Sequence, residues 1–159
     1  MTNNDVLRGV RYALDISDPK MVEIFKLGGH EISRAELSIF LKKEDEEGYI
    51  NCSDPTFECF LDGLIIQRRG KKETDQDKAK IRVYPLTNNA ILKKIRIALE
   101  LKEEDMLGIL KLAEIDISKS ELTALFRKKG HKNYKKCGDQ FLRNFLKGLS
   151  IRYRLKEQS

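Results

Sequence analysis

Residues 2–70 contain four stretches in which apolar side chains recur every three or four positions. That spacing places them on one face of an α-helix, so the pattern predicts four amphipathic helices, whose burial against one another must stabilise such short segments. The predicted faces are Val6, Leu7, Val10, Ala13 and Leu14, then Met21, Ile24, Phe25 and Leu27, then Leu37, Phe40 and Leu41, and finally Phe57, Phe60, Leu61 and Leu64.

Residues with special backbone or capping properties mark the ends of these helices. The second helix is expected to start with Asp18 as its N-cap, followed by a proline, and to stop at Gly28-Gly29. A capping box between Ser33 and Glu36 is expected to open the third helix. The fourth is expected to open at Asp54-Pro55.

The same pattern returns in the second half of the chain at a constant offset, beginning with Thr2-Asn3-Asn4 and Thr87-Asn88-Asn89. Roughly 25 of about 68 aligned positions are identical, far more than one fixed offset gives by chance. Identical pairs include Leu7 and Leu92, Arg11 and Arg96, Met21 and Met106, Tyr49 and Tyr134, Cys52 and Cys137, Gly63 and Gly148, and Arg69 and Arg154. The sequence therefore predicts an all-α protein of two tandem repeats, related by a pseudo-twofold axis, with about four helices each.

We place the first repeat at residues 1–70, a polar linker at 71–86 and the second repeat at 87–159, with residues 81–85 extended. The formal net charge is +6 but is unevenly divided, because residues 2–70 carry 9 basic and 13 acidic side chains whereas residues 87–159 carry 17 and 9. A basic surface attracts acidic partners such as nucleic acid. The second repeat is therefore the part expected to meet one.

Composition narrows the class of protein further. No apolar run approaches the ~18 residues that a membrane helix needs, and no secretory segment opens the chain, so we expect a soluble cytoplasmic protein. The cysteines Cys52, Cys59 and Cys137 show no C-x-x-C spacing and are expected to be reduced structural thiols. No motif indicates a cofactor, a metal site or a small-molecule substrate.

The loop after the third helix of the second repeat is strongly basic. Within about ten residues it gathers lysines and an arginine, which neutralise phosphates, with a tyrosine that could stack on an unpaired base. The structural alternative for the tyrosine is strong, because its counterpart Tyr49 lies in an acidic loop. The predicted nucleic-acid-binding residues are Arg127, Lys128, Lys129, His131, Lys132, Tyr134, Lys135 and Lys136.

The equivalent loop of the first repeat is acidic, with Glu44, Asp45, Glu46 and Glu47 in succession. An acidic loop on one copy and a basic loop on another could pair head to tail, which gives a second hypothesis of a homodimer or a protein–protein adaptor. The two function hypotheses are therefore an RNA- or DNA-binding module and a protein-interaction module.

Three other readings are weaker. The acidic loop resembles a calcium loop, but Lys43 falls where a carboxylate ligand is required. The second and third helices could form a helix-turn-helix, although Glu36 and Glu121 would then face phosphate. The exposed side chains would be Ser33, Arg34 and Ser38 in the first repeat and Lys119, Ser120 and Thr123 in the second. An enzyme is not expected, because neither histidine recurs between the repeats or has a spaced partner.

The repeated arginine of the first helix has a structural role in this interpretation. Arg11 and Arg96 lie inside an amphipathic helix, where a buried salt bridge to a carboxylate is expected rather than ligand binding.

Several segments together resemble the YehS family of bacterial proteins of unknown function. They are Thr-Asn-Asn-Asp at residues 2–5, the stretch Glu-Ile-Phe-Lys-Leu-Gly-Gly at 23–29, Lys-Lys-Glu-Asp at 42–45 and Phe-Leu-Asp-Gly-Leu-Ile at 60–65. The resemblance covers nearly the whole chain and implies a bacterial cytoplasmic protein of two related helical domains. It implies no activity and no catalytic or binding residue.

Overall fold

The computed structural model describes residues 1–70 and 85–158, and within them it contains eight α-helices and no β-strand. The helices are α1 (Asn3–Leu14), α2 (Asp18–Leu27), α3 (Arg34–Phe40), α4 (Asp54–Arg69), α5 (Asn88–Ala98), α6 (Glu103–Leu112), α7 (Lys119–Leu125) and α8 (Asp139–Gln158). Four helices fall in each half, which confirms the all-α tandem repeat. The predicted linker and extended segment fall mainly on residues 71–84, outside the described residues, and the domain boundaries stay a prediction.

Serine rather than aspartate caps the first-repeat helices that begin at Asp-Pro. Ser17 Oγ accepts from the backbone N–H of Lys20 at 3.4 Å, so the prediction of Asp18 as N-cap was wrong by one residue. The hydroxyl reaches that N–H from one position earlier, and Asp18 takes helical backbone angles beside the positive helix terminus. Ser53 caps α4 in the same way.

The capping box of the third helix is complete only in the second repeat. Ser118 Oγ accepts from the Glu121 N–H, and the Ser118 N–H donates to Glu121 Oε1 at 3.2 Å. In the first repeat Ser33 Oγ likewise accepts from the Glu36 N–H, but Glu36 accepts from the serine hydroxyl instead of the backbone. The start of each helix is nonetheless where the sequence placed it.

Each repeat packs its first helix mainly on the fourth helix of the other repeat. Helix α1 lies against α8 and α5 lies against α4, while α2 packs on α4 and α6 packs on α8 within their own repeats. These contacts exchange under the pseudo-twofold axis, as in an isologous dimer interface. The buried apolar faces of both repeats form one core cluster, as expected for copies that pack together.

One glycine in the fourth helix of each repeat allows that helix to cross the second helix closely. A Cβ atom on Gly63 would lie 1.8 Å from the Ile24 carbonyl oxygen, and one on Gly148 would lie 2.0 Å from the Ile109 carbonyl oxygen. Both distances are far below van der Waals contact, so α4 and α8 can cross α2 and α6 at this depth only with glycine. This steric demand explains why the pair is identical in the two repeats.

The two symmetry-related contacts between repeats differ in chemistry. At the α4–α5 contact, Lys94 Nζ lies 2.5 Å from Asp62 Oδ1, and Asp62 is almost fully buried. At the α1–α8 contact the position equivalent to Lys94 is Gly9, which faces the Leu146 side chain. At this pair of equivalent positions, one repeat therefore has an ion pair and the other an apolar contact. None of the described helices is long and apolar enough to cross a membrane.

Candidate nucleic-acid interface

A fully buried asparagine fixes the loop between α3 and α4. Asn4 Nδ2 donates to the carbonyl oxygens of Phe40 and Ile50, both at 3.0 Å, and its Oδ1 accepts from the Cys52 N–H at 2.9 Å. The first two bonds tie the two ends of the loop to the same side chain. A buried amide satisfied in this way holds the loop to one conformation.

Asn89 repeats this arrangement in the second half. Its Nδ2 donates to the carbonyl oxygens of Leu125 at 2.9 Å and Lys135 at 2.8 Å, and its Oδ1 accepts from the Cys137 N–H at 2.9 Å. These partners are the exact repeat equivalents of Phe40, Ile50 and Cys52. The same three hydrogen bonds therefore anchor both loops, and we call this set of bonds the loop frame.

The same two turns shape both loops. Glu46 N–H donates to the Lys43 carbonyl and Tyr49 N–H donates to the Glu46 carbonyl. His131 and Tyr134 make the corresponding bonds in the second loop. The positive-φ glycine differs, since Gly48 (φ 85°) serves the second turn of the first loop and Gly130 (φ 99°) serves the first turn of the second loop.

The predicted basic residues are exposed, apart from half-buried Tyr134, but only some converge. One open concave surface beside α7 is lined by Arg127, Lys132, Tyr134 and Lys135 and encloses a volume of about 690 Å³. We call this surface the α7 groove. Lys128, Lys129, His131 and Lys136 do not line it.

Helix α7 supplies the opposite wall of the α7 groove, including a cation that the sequence analysis did not assign to the basic loop. Lys119 lines the groove together with Ser120 and Thr123. From the sequence, these three side chains were expected to be exposed only on the recognition helix of a helix-turn-helix. Helices α3 and α7 are each seven residues long, so each offers a groove wall of about two turns rather than a long recognition helix.

Glu121 is the one carboxylate among the described residues that line the α7 groove. The Ser118 backbone N–H and hydroxyl, followed by Lys135, hold the pKa of Glu121 below its ordinary value. The carboxylate is therefore ionised at neutral pH and lies 3.9 Å from Lys135 Nζ. Four cations surround one anion, so the α7 groove has a net positive charge.

The two repeated tyrosines have different surroundings. Tyr49 OH donates to Asn4 Oδ1 at 3.2 Å and so belongs to the loop frame. Tyr134 makes no equivalent bond to Asn89 within the described part of the chain, and its half-buried side chain lines the α7 groove.

The acidic residues Glu44, Asp45, Glu46 and Glu47 are all exposed. Lys42 Nζ donates to the Glu47 carbonyl oxygen at 2.6 Å and supports the loop from inside. In the described ranges no ion pair joins this loop to the basic loop.

Cys52 and Cys137 are both buried, which explains why both repeats have a cysteine at this position. Burial raises the pKa of the Cys52 thiol to about 12 and that of the Cys137 thiol to about 11, so both are protonated at neutral pH. Each backbone N–H is held by the buried asparagine of its own repeat. Among the described residues, no group of three or more potential ligands could hold a metal ion.

The anchoring role of Asn4 and Asn89 was missed from sequence, where the Thr-Asn-Asn segments marked only the beginning of each repeat. The available signal was that the asparagine pair and the cysteine both recur across loops whose other residues diverged. Such joint retention indicates a contact between the two positions.

Comparison with known proteins gives a family without a described activity. The family described as "Protein of unknown function (DUF1456)" matches residues 3–70 and again residues 88–154. The chain is also 43% identical over 157 residues to "Uncharacterized protein YehS" of Escherichia coli (strain K12), and the match covers 99% of each protein. No solved structure matches.

Proposed function

Because the chain belongs to the DUF1456 family of proteins of unknown function, its role must be argued from its own side chains, and we propose that it is a non-enzymatic RNA- or DNA-binding module. The α7 groove in the second repeat holds the sugar-phosphate backbone. The observation that carries the proposal is the convergence of Lys119, Arg127, Lys132 and Lys135 on one concave surface.

The chemistry of the α7 groove favours a single strand with little sequence preference. Its cations are separate exposed side chains suited to phosphates, and a half-buried tyrosine offers a ring on which a base can stack. Phosphate contacts and base stacking are available to every nucleotide sequence, so little sequence preference is expected. Lys128, Lys129, His131 and Lys136 stand beside the groove and add longer-range attraction.

Fluorescence anisotropy with a labelled single strand of about twelve nucleotides tests this proposal. If the four cations each neutralise a phosphate, the logarithm of the binding constant falls with the logarithm of salt concentration with a slope of about −3. The triple variant Arg127→Glu, Lys132→Glu, Lys135→Glu is expected to bind at least about tenfold more weakly at low salt.

The matched control reverses three exposed lysines outside the groove, Lys26→Glu, Lys111→Glu and Lys147→Glu, with the same change in net charge. It is expected to retain most of the affinity. Equal weakening in both variants would show that only net charge matters and would contradict a defined site. No binding by the unmodified protein at low salt would reject the proposal outright.

A protein–protein role is the second candidate, and one observation favours it. The two loops occupy equivalent places in the pseudo-twofold fold, carry opposite charge and leave their charged side chains exposed. Two copies could therefore dock loop to loop as a homodimer. Alternatively, one copy could bind a different protein through either loop. Sedimentation at low and high salt tests the homodimer, since a monomer under both conditions would exclude it.

A further inference from the structure

Two basic pockets occur at pseudo-equivalent places where the end of one repeat's fourth helix meets the other repeat's first helix. The first is lined by Arg8, Arg11 and Arg154, and the second by the equivalent Lys93, Arg96 and Arg69. Each thus takes two cations from one repeat and one from the other. Unlike the loop charges, these cations were retained in both copies.

The first pocket supplies its own counterions. Asp5 pairs with Arg8, and Asp18 Oδ1 lies 2.5 Å from Arg11 Nη2. Arg8 also donates to the Lys42 carbonyl oxygen at 2.7 Å. The expected salt bridge of Arg11 is confirmed, although it is partly exposed rather than buried. The donors of these two arginines are largely occupied by groups of the protein itself.

In the second pocket neither of these two ion pairs is formed among the described residues. Ala90 occupies the position equivalent to Asp5. Glu103 occupies the position equivalent to Asp18 but makes no ion pair with Arg96 in the described part of the structure. The salt bridge expected for Arg96 is therefore not formed there. A further cation is added, because Lys102 lines this pocket where the first repeat has Ser17.

The remaining contacts hold the cations in place without neutralising them all. Arg96 Nε donates to the Leu101 carbonyl oxygen at 3.0 Å, and its guanidinium lies 4.6 Å from the Phe126 ring centroid. Arg69 pairs with Glu100 at 3.3 Å. Within the described residues, Lys93 and Lys102 have no ion-pair partner.

We propose that this second pocket binds a small molecule that carries a phosphate group on an apolar or planar body. The phosphate contacts Lys93, Arg96 and Lys102, because among the described residues the first two lack the carboxylate partners that their equivalents Arg8 and Arg11 have in the first repeat. The body lies on the apolar part of the lining, to which Leu101 and Phe126 contribute. The pocket volume of about 590 Å³ falls in the range of small-molecule sites.

This site is distinct from the α7 groove, with which it shares no lining residue. Both repeats have such a pocket, whereas the neighbouring loop is acidic in the first repeat and basic in the second.

Isothermal titration with adenosine monophosphate, inorganic phosphate and adenosine tests the proposal. We expect the monophosphate to bind more tightly than either of its two parts, because it engages both the cations and the apolar wall. Failure of all three to bind at concentrations up to about 10 mM would overturn the proposal. Binding of inorganic phosphate as tightly as the nucleotide would refute the role of the apolar wall.

Ala90→Asp is the decisive variant, because it installs the carboxylate that neutralises Arg8 in the first repeat. It also recreates the Thr2–Asp5 type of capping box at Thr87, so the fold is expected to be retained. Adenosine monophosphate should bind at least about tenfold more weakly. Lys102→Ser, which installs the first-repeat residue, should weaken binding in the same direction.

Ser38→Asp adds the same charge at an exposed position outside both pockets and should leave nucleotide binding unchanged. Unchanged binding in Ala90→Asp would overturn the proposal. The triple variant of the α7 groove separates the two sites. If it abolishes nucleotide binding, the monophosphate occupies the α7 groove and the second pocket is not its site.

Discussion

The acidic loop of residues 42–51 and the basic loop of residues 127–136 differ in charge far more than in architecture. In both, a buried asparagine holds the two ends of the loop and the N–H of the following cysteine, and the same two turns lie between. The exposed side chains share almost nothing except Lys43 and Lys128. The frame was kept because its polar groups are buried and must be satisfied, whereas exposed positions were free to change.

The comparison of the two cation pockets gives the complementary result. There the charged side chains were retained, and the change was the loss of internal counterions in the second repeat. Both differences increase the positive potential of the second repeat. We therefore expect anionic partners to bind to this repeat, with the first repeat as a natural internal control.

The largest effects should come from the glycines that both repeats share. Gly63→Ala and Gly148→Ala each force a methyl group against a backbone carbonyl oxygen, and we expect each to lower the free energy of unfolding by about 3 kcal/mol or more. Urea denaturation measures this loss. The control is Gly108→Ala, where a Cβ meets nothing within 4 Å and helix propensity predicts a gain of about 1 kcal/mol.

Equal and large losses at Gly63 and Gly148 would confirm that the two crossings are the same structure. A cost below about 1 kcal/mol at either position would show that its helices separate easily and would break the equivalence of the repeats.

The loop anchors should have the next largest effect. Asn4→Ala and Asn89→Ala remove a side chain that satisfies one N–H and two carbonyl groups, so we expect losses of about 2–3 kcal/mol in unfolding free energy. The loss should be greater for Asn4, which is fully buried and also accepts from Tyr49. Thermal or urea unfolding compares them with the exposed Asn133→Ala control, and equal stability of all three variants would contradict the proposed frame.

A smaller effect distinguishes the ends of α2 and α6. Glu114 adopts φ 62° where the first repeat has Gly29 at φ 95°. The left-handed conformation costs a residue with a Cβ about 1–2 kcal/mol, so Glu114→Gly should stabilise the protein by about 1 kcal/mol. The reciprocal variant Gly29→Glu should destabilise by a similar amount, and denaturant midpoints at constant slope would measure both. Destabilisation by Glu114→Gly would refute the strain argument.

The helices and the duplication could be predicted from sequence because their signals are local or repeated. Apolar spacing defined the faces, and Ser33, Ser118 and Gly28 marked helix ends correctly. The N-cap of α2 was misplaced by one residue, since both Ser17 and Asp18 can accept the same kind of hydrogen bond. The glycine stop of α2 has no sequence counterpart at the end of α6, where Glu114 adopts the left-handed conformation that Gly29 adopts in the first repeat.

The candidate sites were only partly predictable, because their members come from different segments. The basic loop could be read as a run of charge, but its division into residues that line the α7 groove and residues that do not depends on the path of α7. The second cation pocket needs Arg69 from the first repeat beside Arg96 from the second. That meeting follows from α4 packing on α5, and no local pattern encodes which repeat a helix will pack against.

We propose that the two loops share an interchangeable frame and that the charge on the second directs nucleic-acid binding. The most direct measurement is the salt-dependent affinity of a single-stranded oligonucleotide for a variant in which residues 42–51 and 127–136 are exchanged. Arg34 and Lys119 lie at equivalent positions on α3 and α7. We therefore expect binding to move to the first repeat with nearly unchanged affinity and salt slope. A folded exchange variant that no longer binds, while the unmodified protein does, would contradict it.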